Sequence, residues 1–141
     1  MEALAFTLHY LKMNIKTKRS MKKILIVDDE PNIIMSLEYT FKKSNFEVFI
    51  ARDGQEALDI LQNETPDAII LDVMMPNVDG YATITEIKKD EKLQHCKIVF
   101  LSAKNKESDI EKGLGLGANA YMTKPFSIKK LVDKINELIE E

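Results

Sequence analysis

Three carboxylates, a hydroxyl and an ammonium stand at the ends of short apolar runs in this chain. Asp28 and Asp29 follow KILIV, Asp72 follows DAIIL, Ser102 follows KIVFL and Lys124 follows ANAYMT. Neighbouring carboxylates repel by about 1 kcal/mol for unit charges ~4 Å apart in water, and by more in a crevice. A third at Asp72 worsens the repulsion unless a cation sits among them. Hard oxygen donors with no His or Cys beside them favour Mg²⁺ over zinc. Asp72 is then a candidate nucleophile, because carboxylates form phosphoryl intermediates and a metal can neutralise the transferring oxygens. Lys124 can pair with Asp72 beforehand and with a phosphoryl oxygen afterwards. Ser102 offers a hydroxyl donor to the same group. Each residue alone has an ordinary explanation, such as a helix cap for Asp28 or Asp29 or a solvated lysine. The whole set at four strand ends does not.

The elements that must position these groups alternate five times along the chain. Ile24–Val27, Phe46–Ala51, Asp67–Leu71, Lys97–Leu101 and Asn119–Met122 read as strands. Four are short and strongly apolar, as buried parallel strands are. Pro31 suits the first turn of helix one, whose stripe is Ile33, Ile34, Leu37 and Phe41. Asp53 and Glu56 resemble a capping box for helix two, with Ala57, Leu58 and Leu61 inward and Pro66 closing it. Asp79-Gly80 marks a turn before helix three, which carries Ile84 and Ile87. Ile110 and Leu114 belong to helix four, with Gly113, Gly115 and Gly117 ending it. Ser127 can cap helix five, whose stripe is Ile128, Leu131, Val132, Ile135, Leu138 and Ile139. Strand–helix alternation with right-handed crossovers gives an α/β fold, a parallel sheet covered on both faces. The carboxyl ends of its strands, where ligands bind, then bring the polar set together.

Composition permits this fold and excludes others. The chain has 141 residues, 45% hydrophobic and 30% charged, enough for one core without a disulfide or structural metal. A net charge of −3 gives no global reason to expect a nucleic-acid or membrane surface. Cys96 is the only cysteine, which reads as a reduced, partly exposed thiol. No stretch is long and apolar enough to span a bilayer. Residues 1–20 place their basic cluster after the apolar part, the reverse of a signal peptide. They read as an extension outside the core, with the domain itself at 21–141. The extension could be a weak helix, a disordered tail or an early start, with an amphipathic docking helix as a further option.

Asp28-Asp29, Asp72 with Met75-Pro76 and Asp79-Gly80, Ser102-Ala103, and Tyr121-Met122-Thr123-Lys124-Pro125-Phe126 resemble the receiver domain of two-component response regulators. The match covers about residues 22–140 and is most like the single-domain chemotaxis regulators. The resemblance implies a flavodoxin-like, doubly wound five-stranded parallel sheet of order 2-1-3-4-5. It implies that Asp72 accepts phosphate from the phosphohistidine of a sensor histidine kinase or phosphotransfer protein. It implies Mg²⁺ held by Asp29, Asp72 and the backbone carbonyl of Met74, with Asp28 acting through water. It implies a cis Lys124–Pro125 bond, and a switch in which Ser102 moves toward the phosphoryl group while Tyr121 turns inward. It further implies an output face made of helix four, strand five and helix five, a cytoplasmic location, and a monomer or phosphorylation-dependent dimer.

Two departures stand out. Ser102 occupies a position where many members have Thr. Ala118-Asn119-Ala120 precedes Tyr121, where members with DNA-binding winged-helix outputs often carry two acids, a departure that counts against the salt-bridged dimer those members form through helix four, strand five and helix five. No direct nucleic-acid binding is expected from a net charge of −3. Met74 and Lys104 hold positions that tune dephosphorylation, and neither is a carboxylate able to orient attacking water. A phosphoryl lifetime that is not especially short follows.

Three other readings fit less well. Gly113-Leu114-Gly115-Leu116-Gly117 looks like a dinucleotide loop but precedes a strand instead of following one. An Asp-Asp-Glu first loop repels a flavin phosphate. A Mg²⁺-dependent phosphatase with an aspartate nucleophile carries Asp-x-Asp after strand one, which is missing at both acidic strand ends. His9 and His95 lie outside the site. The chain is therefore expected to be a phosphoacceptor switch that catalyses only its own phosphorylation and dephosphorylation. It stands alone, or is the receiver piece of a longer regulator.

Overall fold

A computed structural model describes residues 3–5, 7, 8 and 21–140. The expectation of an extension at residues 1–20 falls mostly outside these. Five strands form one parallel sheet: β1 (Lys23–Val27), β2 (Glu47–Ala51), β3 (Ala68–Leu71), β4 (Lys97–Ser102) and β5 (Ala120–Thr123). Their order is β2-β1-β3-β4-β5, as expected. The helices are α1 (Pro31–Lys43), α2 (Gly54–Leu61), α3 (Gly80–Lys89), α4 (Glu107–Gly115) and α5 (Ile128–Glu140). A 3₁₀ turn at Glu91–Leu93 leads into β4.

Strand side chains alternate between two apolar layers. Leu25, Val27, Ile69, Leu71, Ile98 and Phe100 face α2 and α3, where Ala57, Leu61, Ile84 and Ile87 meet them. Ile24, Ile26, Ile70, Val99 and Leu101 face the other way, onto Leu37 and Phe41 of α1 and Leu131, Ile135 and Leu138 of α5. Each fully buried large side chain contributes about 1.5–3 kcal/mol to stability. β1 and β3 are covered on both faces, which is why their ends can hold polar groups away from solvent.

Local signals explain most boundaries. Pro31 opens α1, and Asn45 leaves it with φ 66°, a left-handed conformation Asn tolerates. The Asp53 carboxylate accepts the Glu56 N–H at 2.8 Å, and the Ser127 hydroxyl accepts the Lys130 N–H at 3.2 Å. Other expectations need correcting. Pro66 does not close α2, which ends at Leu61. Gly113 does not end its helix but lies inside α4, where a Cβ would stand 2.9 Å from Tyr121 Cδ2. Glycine is there so that α4 can lie close to β5. Cys96 is not partly exposed: it is buried at 2% and its S–H donates to the Pro66 carbonyl at 2.8 Å. No helix among the described residues is long and apolar enough to cross a membrane.

Candidate functional site

β1 ends by delivering Asp28, and β3 by delivering Asp72. Register pairs Val27 with Leu71, so the two acids leave adjacent strands at one level. Asp28 is 2% and Asp72 3% exposed, whereas Asp29 faces solvent. Carboxylate oxygens of Asp28, Asp29 and Asp72 all lie within 4.8 Å of one another. Three hard anionic donors at that spacing, two of them desolvated, suit a divalent cation such as Mg²⁺. A cleft of about 430 Å³ opens beside them, lined by Asp29, Met74, Pro76, Asp79, Tyr81 and Lys104, among others.

Lys124 reaches into this cluster from the end of β5. Its Nζ lies 2.9 Å from Asp28 Oδ2, 2.9 Å from Glu30 Oε1 and 3.4 Å from Asp72 Oδ2. Burial alone would lower the ammonium, but Asp28, Glu30 and Asp72 together outweigh it and hold Lys124 above the usual lysine range. Asp72 shifts the other way from most ion-paired acids. Burial raises its carboxyl first, and the Asp28 charge adds to this, against a smaller pull from Lys124. The acid at the end of β3 is thus a carboxylate under electrostatic pressure, which a cation or an esterifying group would relieve.

The backbone around Asp72 is held tightly. Gly80 opens α3 with its N–H on the Val73 carbonyl at 2.9 Å, and a Cβ there would collide with the Asp72 carbonyl oxygen. Asp79 caps the same helix through the Ala82 N–H at 2.8 Å. The Met74 N–H donates to Asp72 Oδ1 at 3.3 Å, the oxygen that Lys124 does not contact.

Ser102 ends β4 fully buried, and its Oγ accepts the Lys104 N–H at 3.2 Å. Tyr121 is half-buried on β5. Its ring tilts against Phe100 at 5.7 Å, and its hydroxyl donates to the Lys104 carbonyl at 2.7 Å. The Lys124–Pro125 bond is cis.

Asp28, Asp29, Asp72 and Lys124 are therefore one cluster, with Met74 bonded to Asp72. Ser102 and Tyr121 are tied to the loop that leaves β4. Two participants were not anticipated. Glu30 contacts Lys124, and its only sequence signal is its place as the third acid of Asp28-Asp29-Glu30. Tyr81 donates to the Asp109 carbonyl of α4 at 3.1 Å and lines the cleft.

Comparisons with known proteins agree with one another. Residues 24–136 match the family model described as the response regulator receiver domain. The alkaline phosphatase synthesis transcriptional regulatory protein PhoP of Bacillus subtilis is 42% identical over 118 residues, which is 84% of this chain and 48% of that protein. The chain thus spans about half the length of that curated relative. The receiver domain of the Francisella response regulator 1452 superposes with a TM-score of 0.78 at 31% identity, covering 84% of this chain and 97% of that one. The receiver domain of the Pseudomonas aeruginosa sensor histidine kinase PA1611 has magnesium coordinated in its active site cleft. It gives a TM-score of 0.79 at 29% identity, over 86% of this chain and 100% of its own.

Proposed function

This chain belongs to the response regulator receiver domain family, and from that premise we propose that it is a phosphorylation switch whose acceptor is Asp72. A carboxylate oxygen of Asp72 forms a bond to phosphorus while the phosphorus–nitrogen bond of a phosphohistidine breaks. The electron pair leaves on the imidazole, which takes a proton from solvent. The donor is a sensor histidine kinase or a phosphotransfer protein. Asp28, Asp29 and Asp72, with the Met74 carbonyl, are the residues that would hold Mg²⁺. When bound, that ion supplies neutralisation of charge on the phosphoryl oxygens.

The remaining steps rest on the chain's own groups. Lys124 offers an N–H to a phosphoryl oxygen, and Ser102 offers its hydroxyl once it leaves the Lys104 N–H. Departure of Ser102 frees the loop to which Tyr121 is bonded, so the local charge change reaches α4, β5 and α5. That face is the proposed docking surface for a downstream protein, in the cytoplasm, as a monomer or a phosphorylation-dependent dimer. No direct nucleic-acid contact is part of this reading.

The observation that carries the proposal is the placement of Asp72: buried, within 4.8 Å of two other carboxylates through its oxygens, and 3.4 Å from Lys124. The test is incubation with acetyl phosphate and Mg²⁺, followed by intact mass and peptide mapping. One phosphoryl group is expected on Asp72, and none in Asp72→Asn. An undiminished yield in that variant would refute the assignment.

A further inference from the structure

Glu30 is the N-cap residue of α1, yet its side chain makes no capping hydrogen bond. Its carboxylate reaches instead to Lys124 Nζ at 2.9 Å, with the side chain still 55% exposed. An ammonium has three N–H donors. Here three carboxylates share them, and the two short contacts are to Asp28 and Glu30, with Asp72 farther off at 3.4 Å. Glu30 is also absent from the close acidic group of Asp28, Asp29 and Asp72. Its contact with Lys124 is therefore separable from metal holding.

We propose that Glu30 is a positioning residue that competes with Asp72 for the Lys124 ammonium and slows phosphorylation. This rests on Asp72 being the phosphoacceptor. With every donor engaged, Lys124 must break one contact before it can serve an incoming phosphoryl oxygen. Of the two short contacts, the one to Glu30 is given up more readily, because an exposed carboxylate regains water whereas Asp28, at 2% exposure, does not. An interaction present in the ground state and lost in the transition state raises the barrier. Exposed ion pairs are weak, so its removal should accelerate the reaction about two- to five-fold.

Two variants of the full chain separate this from a charge effect. Glu30→Gln removes the charge. Glu30→Asp keeps the charge but shortens the arm by one methylene, so the carboxylate no longer reaches Nζ. Two quantities are measured: the rate of Asp72 phosphorylation by acetyl phosphate at saturating Mg²⁺ and fixed ionic strength, and the ¹⁵N resonance of the Lys124 ammonium in metal-free protein. Both variants should react faster, and both should shift the ammonium resonance. A faster Glu30→Gln beside an unaltered Glu30→Asp would mean only weaker repulsion of the anionic donor, and would overturn the proposal. Slower or unchanged rates in both, or an unmoved resonance, would overturn it too. Absence of any adduct on Asp72 in the unaltered chain would instead remove the phosphoacceptor reading.

Discussion

Lys124 Nζ lies 3.4 Å from Asp72 Oδ2 across 52 residues of chain, and that separation is the longest of its three carboxylate contacts. The ammonium is near the acid at the end of β3 without neutralising it. Asp72 remains raised by burial and by Asp28 despite the lysine. Several consequences of this strained balance can be measured.

The first is pH dependence. A carboxyl raised in the folded state binds its proton more tightly there than in the unfolded chain. Its ionisation therefore costs stability, none below the unfolded pKa and fully above the folded one. In metal-free buffer, stability from urea unfolding should lose this contribution as pH rises from about 4 through the raised pKa. Asp72→Asn should lack this loss, so its advantage over the unaltered chain should grow with pH across that window. A constant difference at all pH values would show that Asp72 is not destabilising when ionised.

Divalent cation should relieve the same repulsion. Mg²⁺ at a hundred times its dissociation constant stabilises a one-site protein by about 2.7 kcal/mol. For a chain of this length each kcal/mol raises Tm by roughly 2–4 °C. Thermal melts with and without Mg²⁺ should show this rise, and Asp29→Asn should shrink it. An equal rise in Asp29→Asn would place the ion elsewhere.

Gly80 lies against the backbone of Asp72, where a Cβ would strike the carbonyl oxygen. Overpacking of this kind costs about 1–3 kcal/mol. Gly80→Ala should lose that much in denaturant unfolding and should displace Asp72 enough to slow phosphorylation. A variant of full stability and full rate would mean the α3 start can move aside at no cost.

Cys96 should behave as an inert thiol. Burial pushes it up to about 11, with Asp67 adding to the shift, and its S–H is bonded to Pro66. Alkylation by iodoacetamide near neutral pH should be slow and should track the opening of the fold. Labelling as fast as that of a free thiol in native protein would contradict the buried placement.

The phosphoryl lifetime follows from what lines the cleft. Met74 and Lys104, two residues beyond Asp72 and Ser102, stand there, and neither is a carboxylate able to orient attacking water. Purified phosphoprotein in Mg²⁺ should decay over minutes or longer. Decay within seconds would call for a water-activating group that these residues do not supply.

Much of the fold was legible because its signals are local. The alternation of apolar runs with amphipathic segments located the five strands, and the five helices that cover them, among the described residues from 21 onward, and capping by Asp53 and Ser127 depends only on neighbours three residues away. Where local signals misled, packing across the fold had intervened. Glycine at 113 reads as a helix stop, but it sits within α4 because Tyr121 and Phe100 press against it. A lone cysteine reads as a partly exposed thiol, but Cys96 is buried and its S–H is bonded to the Pro66 carbonyl, thirty residues away in sequence.

The sequence by itself determined which residue types stand at the strand ends, and so that carboxylates, a hydroxyl and a lysine could share one edge of a parallel sheet. The tertiary structure decided how they share it. Lys124 meets Glu30 across 94 residues and Asp28 across 96, and both contacts are shorter than the one to Asp72. Periodicity and capping are properties of a few consecutive residues. Desolvation and ion-pair choice depend on every segment that surrounds a charge, and those segments meet only when the chain has folded.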